Sequence, residues 1–319
     1  MSIVLSHISA LEFWRSAASD AGPPRAACAL RDAPACAPPP ASSSERALLS
    51  CGTFSAPLHV LALDGRRKST PHFVVHQARS LPSGSFRAIA LEGAEEPLFV
   101  VCPELAFAHL AASLSFARAV HLGYELCGTY APDDSRPFGV RNRSPLATPD
   151  SIAAYLDQAG AVRGAGPARV ALPHVLALSA SPRESTLSML LTLPYARGGS
   201  NIAHPRMNAV IPLGKRNRWA ADRSHFRCDL LWPEQNVAVE YDSTLCHTGP
   251  TRIAADAARR NALESLGLTV MTATWRQVAN RQEYERFARI LAGHLGARIR
   301  PSCQDYARKQ FALRAELLR

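Results

Sequence analysis

The stretch FRCDLLWPEQNVAVEYDSTLCH, residues 226–247, puts Asp229 in one apolar run and Glu240 with Asp242 in the next. Side chains alternate along a strand, so Val237, Val239 and Tyr241 fall on one face while Glu240 and Asp242 fall on the other. Two carboxylates on a strand otherwise fit for a core repel each other and resist desolvation. The short turn PEQ makes the two runs a hairpin, and a tight turn lets Asp229 and Glu240 converge from neighbouring strands. Two or three carboxylates at one sheet edge form a hard-oxygen site suited to Mg²⁺ or Mn²⁺. Such an ion removes the repulsion, holds a phosphate oxygen and generates hydroxide. Plainer readings stand beside this one: an edge-strand charge at Asp229 that blocks aggregation, and a solvated strand face at Glu240 and Asp242.

Other residues gather near this pair. In SPRESTLSMLLTLP (181–194), Ser181, Pro182 and Glu184 have the spacing of a helix start. Glu184 also shares a face with Leu187 and Leu191, so it reads equally as a cap and as an inward-facing acid. The run GKRNRWAADR (214–223) brings Lys215 and Arg216 before the hairpin, as a solvated loop or as contacts to a nucleic-acid backbone. Asp256 and Arg260, four residues apart, read first as a surface ion pair. His225, Cys228, Cys246 and His247 suggest zinc, but adjacent Cys246 and His247 point to opposite faces and the spacing misses the usual forms. Trp219, Trp232 and Trp275 read as packing groups rather than base-stacking platforms.

The elements that must position these residues are legible in the C-terminal half. Helices are predicted over 181–194, 251–267 and 281–296, and strands over 207–213, 226–232, 236–242 and 268–275. A hairpin followed by a helical crossover to a further strand implies a mixed sheet with helices packed on it. Earlier in the chain, residues 4–19 read as a short amphipathic helix and 20–45 as a Pro/Ala/Ser-rich connector. Strands are expected at 57–64, 72–77 and 86–92, a strand running into one or two helices at 97–128, a loop at 128–150 and a helix at 151–159. The expected fold is α/β (α+β), with an α+β region over 46–180, a sheet-and-helix domain over 181–300 and a helical tail over 301–319.

The ordered combination Asp229, WPE, VE-x-D, His247, a helix carrying Asp256 and Arg260, and GLTVMTATWRQV resembles the PD-(D/E)XK restriction-endonuclease-like superfamily. Its nearest branch is that of the very-short-patch-repair endonucleases, and the likeness covers about residues 181–292. The resemblance implies a restriction-endonuclease-like fold, with Asp229 and Glu240 as metal-binding carboxylates and Glu184 as the upstream helix acid. It implies His247 as general acid or base, and Arg260 as a positive charge near the site. Asp242 stands where the superfamily usually carries Lys, a departure that leaves cleavage and mere binding both open. SHISALEFWR and the segments PLHV and HFVVHQAR resemble, more weakly, the region found in relatives of abortive-infection-type antitoxins, which implies a cognate toxin or other protein partner.

The charge agrees with a polyanionic partner. The chain of 319 residues has a formal net charge of +10. Residues 181–319 carry 21 Lys and Arg against 12 Asp and Glu, and the first 180 carry 15 against 14. The excess therefore lies in the half that holds the carboxylates, and the expected partner is DNA. Eight scattered cysteines without a CxxC pair read as reduced thiols. No signal-peptide pattern opens the sequence and no apolar run is long enough to span a bilayer, so a cytoplasmic location without membrane contact is expected.

Overall fold

The polypeptide divides into two units, Met1–Val175 and Leu176–Arg319, five residues before the expected boundary. The computed structural model describes residues 3–16, 27–28, 54–62, 68–78, 81–89, 98–136, 138–213, 225–242 and 250–318. Both units mix helix and sheet. Among the described residues, no helix is long and apolar enough to cross a membrane.

In the first unit the chain enters as a strand, not as the helix expected from residue 4. β1 (Val4–Leu5) is fully buried and precedes α1 (His7–Ser16). The reason is tertiary: β1 lies inside a six-stranded sheet, paired in parallel with β6 (Leu98–Val101) and antiparallel with β3 (Leu58–Ala62). The remaining members are β2 (Ala27–Cys28), β4 (Phe73–Gln77) and β5 (Phe86–Ile89), in the order β2-β5-β6-β1-β3-β4. Leu5, Leu58, Phe73, Phe86 and Val100 form its core with Trp14 of α1 and Leu105 of α2 (Pro103–Ala111). A second helix, α3 (Phe116–Cys127), follows α2. The 128–150 loop contains a small hairpin, β7 (Tyr130–Pro132) with β8 (Val140–Asn142). α4 (Pro149–Ala159) starts at a Thr148 cap, and α5 (Ala165–Ala171) falls where no element was expected.

The second unit follows its predicted order closely. α6 (Pro182–Thr192) leads to β9 (Arg206–Pro212), β10 (His225–Trp232) and β11 (Val237–Asp242). The β10–β11 hairpin is antiparallel, with Leu231 opposite Ala238 and Trp232 opposite Val237. α7 (Pro250–Ser265) then crosses to β12 (Thr269–Thr274), which runs parallel to β11. The sheet order β12-β11-β10-β9 is therefore mixed, as a hairpin plus a helical crossover requires. Cys228, Phe226, Leu231 and Ala238 of the sheet pack against Ala262 and Leu263 of α7. Two further helices follow, α8 (Trp275–Ala279) and α9 (Arg281–His294), the latter capped by Asn280.

The last helix, α10 (Tyr306–Leu317), is part of this unit and not a tail. Arg314 is buried and donates from Nη2 to the carbonyls of Val278 and Ala279 at 2.7 and 2.9 Å. At its other end, α10 closes on the turn after α6, where Gly198 has φ 89° and a Cβ would stand 2.5 Å from the Lys309 carbonyl oxygen. Both the left-handed backbone and the lack of room demand glycine there. Gly198→Ala is expected to lower the stability of this unit by about 2–3 kcal/mol, measured by chemical denaturation.

Candidate functional site

Glu184 is placed by the helix it starts. Ser181 caps α6 by accepting from the Glu184 amide at 3.2 Å, and Pro182 supplies a first turn that needs no donor. The Glu184 carboxylate turns back and is only 8% exposed. It accepts from Ser181 Oγ at 2.9 Å, from the Ala180 amide at 3.0 Å and from Asn208 Nδ2 at 2.8 Å. The cap and the inward-facing acid are thus one side chain in one position.

Asn208 is a residue that the sequence reading missed. It lies within β9 at φ 48°, a left-handed conformation that asparagine tolerates better than most residues. Around it the strand is bridged at Ala209–Cys228 and Met207–Leu230, so Asp229 falls between two bridged pairs. The alternation of burial breaks here as well, with Met207 and Asn208 both buried. This kink aims the Asn208 amide at Glu184.

Asp229 is half-buried on β10, and its Oδ2 accepts from the Tyr241 amide at 2.7 Å. A side chain thus takes a β11 donor just beyond the last bridged hairpin pair, Leu230–Val239. Burial, then the charge of Glu184, then that of Glu240 push the Asp229 carboxyl up to about 7, against the pull of the Tyr241 amide and Arg259. Glu240 ends in an ion pair with Arg259 of α7, Oε2 to Nη2 at 2.8 Å. Its other oxygen, Oε1, is buried without a hydrogen bond. Burial raises the Glu240 carboxyl above its usual range in spite of Arg259. Burial and the Glu240 charge likewise push the Cys228 thiol up to about 12.

The structure therefore brings Asp229, Glu240 and Glu184 within electrostatic reach of one another. Asp242 ends β11 two residues after Glu240, level with Thr274 of β12. Arg260 donates to Thr272 Oγ1 at 2.8 Å, and Thr272 is the register partner of Glu240 on β12. Among the described residues, its neighbour Arg259 is the cation that pairs with Glu240. The signal for that was present: Arg259 lies three and four residues before Ala262 and Leu263, the buried face of the helix. His247, Lys215 and Arg216 lie outside the described residues, as does Cys246 of the rejected zinc set. Arg183, beside Glu184, lies over the Trp275 ring at 5.0 Å.

Among the described residues, no three His, Cys, Asp or Glu side chains form a ready-made metal cage. A site for Mg²⁺ needs fewer protein groups than that, because the ion takes one or two carboxylates and completes its shell with water and phosphate oxygens. The orphaned Glu240 Oε1 and the crowding of Asp229 by two acids fit a two-carboxylate site of this kind.

No family model matches the chain, and no solved structure matches it. Two curated relatives do, both uncharacterized proteins of Mycobacterium tuberculosis, from strains CDC 1551 / Oshkosh and ATCC 25618 / H37Rv. Each is 36% identical over 70 residues, which is 22% of this chain and 25% of the relative. The chain thus spans about a quarter of the length of the curated relatives it matches.

Two consequences are measurable. Asn208→Ala removes the donor to buried Glu184 and is expected to cost about 1–3 kcal/mol in denaturant unfolding. Asp229 holds a proton in the fold that the unfolded chain releases at its ordinary carboxylate value, so stability falls as pH rises from about 4 to about 7 and stays lower above. Asp229→Asn is expected to melt at a higher temperature than wild type at pH 8, with the difference vanishing near pH ~4.

Proposed function

We propose that the C-terminal unit is a restriction-endonuclease-like domain that hydrolyses DNA phosphodiester bonds with a divalent metal. The observation that carries this reading is the meeting of three acids from α6, β10 and β11, one of them with a buried oxygen left without a partner. Like charges gathered out of water raise a cost that a bound cation removes, and such crowding clusters at functional sites.

In this reading Asp229 and Glu240 hold Mg²⁺ or Mn²⁺, which supplies Lewis acidity for the phosphate and for an attacking water. Glu184 fixes the negative field of the site from behind, held by Ser181, Ala180 and Asn208. The position of the usual Lys is filled by Asp242, and Arg259 supplies the fixed cation instead, anchored on Glu240 at 2.8 Å. His247 takes or gives the proton at the leaving or attacking oxygen, and Lys215 and Arg216 grip the DNA backbone. The same ion pair favours a second reading, in which Arg259 permanently neutralises Glu240 and the unit binds nucleic acid without cutting it, as a toxin–antitoxin-type regulator would.

Supercoiled plasmid with Mg²⁺ or Mn²⁺ separates the two. Metal-dependent nicking is expected from the wild type, with a loss of about 100-fold or more in both Asp229→Ala and Glu240→Ala. Arg259→Ala is expected to weaken nicking and to move its pH profile upward, since Arg259 lowers the proton affinity of Asp229. Binding that falls steeply with salt, with no nicking under either metal, would establish the regulator instead.

A further inference from the structure

Far in sequence from the acids, the first unit gathers four histidines. His7 sits at the joint of β1 and α1, His59 on β3, His76 on β4 and His109 on α2. The His7 ring lies between two others, parallel to His76 at 3.4 Å and to His109 at 4.3 Å between centroids. His59 Nδ1 and His76 Nε2 share a hydrogen bond at 2.9 Å, and His7 Nδ1 meets Ser6 Oγ at 3.1 Å. His7 and His109 are buried, and His109 Nδ1 has no hydrogen-bond partner.

This is not the geometry of a metal site. Imidazole lone pairs lie in the ring plane, so parallel rings send them along parallel lines instead of toward one ion. The stack instead suits neutral rings, which pack face to face as aromatic bodies, and it punishes charged ones, which would stand a ring's thickness apart. Its place in the sheet gives that preference a consequence. β1 is two residues long and is the link between β2-β5-β6 on one side and β3-β4 on the other. His7 follows it after Ser6 alone, so the stack ties this seam to β4 and α2.

We propose that the histidine stack is a proton-operated latch, closing the six-stranded sheet along β1 while its rings are neutral and releasing β1 and α1 when they take up protons. The groups facing it agree in sign. Burial and the neighbouring histidines hold His7 down to about 2 and His76 to about 4, and burial with His76 holds His109 to about 4. Arg163, between α4 and α5, adds to the depression of all three. His59 is lowered by burial, and among the described residues Glu12 of α1 is the acid that acts on His59 in the opposite direction. In the unfolded or opened chain these rings protonate near their ordinary value of 6.5, so the closed form binds fewer protons than the open one below that pH. Closure is therefore fully favoured above about 6.5 and weakens progressively as pH falls through the depressed values.

The test uses the full chain. Amide exchange of β1 and α1, with Trp14 fluorescence beside it, is followed from pH 7.5 to about 4. Each depressed histidine is expected to weaken closure about tenfold per pH unit below about 6.5. His109→Leu, which also removes the orphaned nitrogen, and His76→Gln should each flatten that dependence by about one such factor. Histidine NMR titration of the wild type provides the arm that needs no variant, with His7, His76 and His109 expected still neutral at pH ~5.5. Four ordinary titrations near 6.5 would overturn the latch. So would an unchanged pH dependence in both variants, or a large Zn²⁺-induced stabilisation lost in both, which would make the cluster a metal site after all.

Discussion

The C-terminal unit is arranged around one costly act, the burial of the Glu184 carboxylate. A charge at 8% exposure needs hydrogen bonds on both oxygens, and each donor imposes something on the backbone around it. Ser181 and Ala180 fix the start of α6, and Asn208 bends β9 into a left-handed step. That step lies opposite Asp229, whose carboxylate then takes the Tyr241 amide where β10 and β11 stop exchanging bridged pairs. A helix start and a strand kink thus both serve one side chain, and the kink lies beside the acid that opens the hairpin. They deliver three acids to one place.

Much of this was legible in the sequence because it rests on local rules. The order of helices and strands after residue 181, the PEQ hairpin and the Ser181–Pro182–Glu184 start each depend on a few neighbouring residues. Period-2 alternation also put Glu240 and Asp242 together, away from Val239. What could not be read was Asn208, since nothing in MNAVIPL marks a left-handed residue within a strand. Arg259 was passed over because the resemblance drew attention to Arg260, whereas Arg259 shares the inward face set by Ala262 and Leu263. The helix expected from residue 4 begins only at His7, for a different reason. Val4 and Leu5 pair with strands made 53 or more residues later, and no local pattern carries that information.

The two units bury polar groups in opposite ways. Around Asp229 the fold gathers acids and leaves one oxygen of Glu240 without a hydrogen bond. Around His7 it collects groups able to become positive and keeps them uncharged. Among the described residues of the first unit, Glu125 is buried and held by Arg15 at 2.7 and 2.8 Å, with buried Arg143 on the carbonyls of Glu125 and Tyr130. Both oxygens of Glu125 are taken by one guanidinium, and the pair has the character of scaffolding.

The brevity of β1 bears on how the chain is made. Its two residues are synthesised first among the strands of their sheet, yet their partners Val60, Phe99 and Val100 follow after dozens of further residues. A ribosome adding about 5–20 residues each second keeps Val4 and Leu5 without neighbours for several seconds, exposed and apolar. Sheet closure in this unit is consequently a late, long-range event, the kind that sets a slow folding rate and gives holdase chaperones time to act.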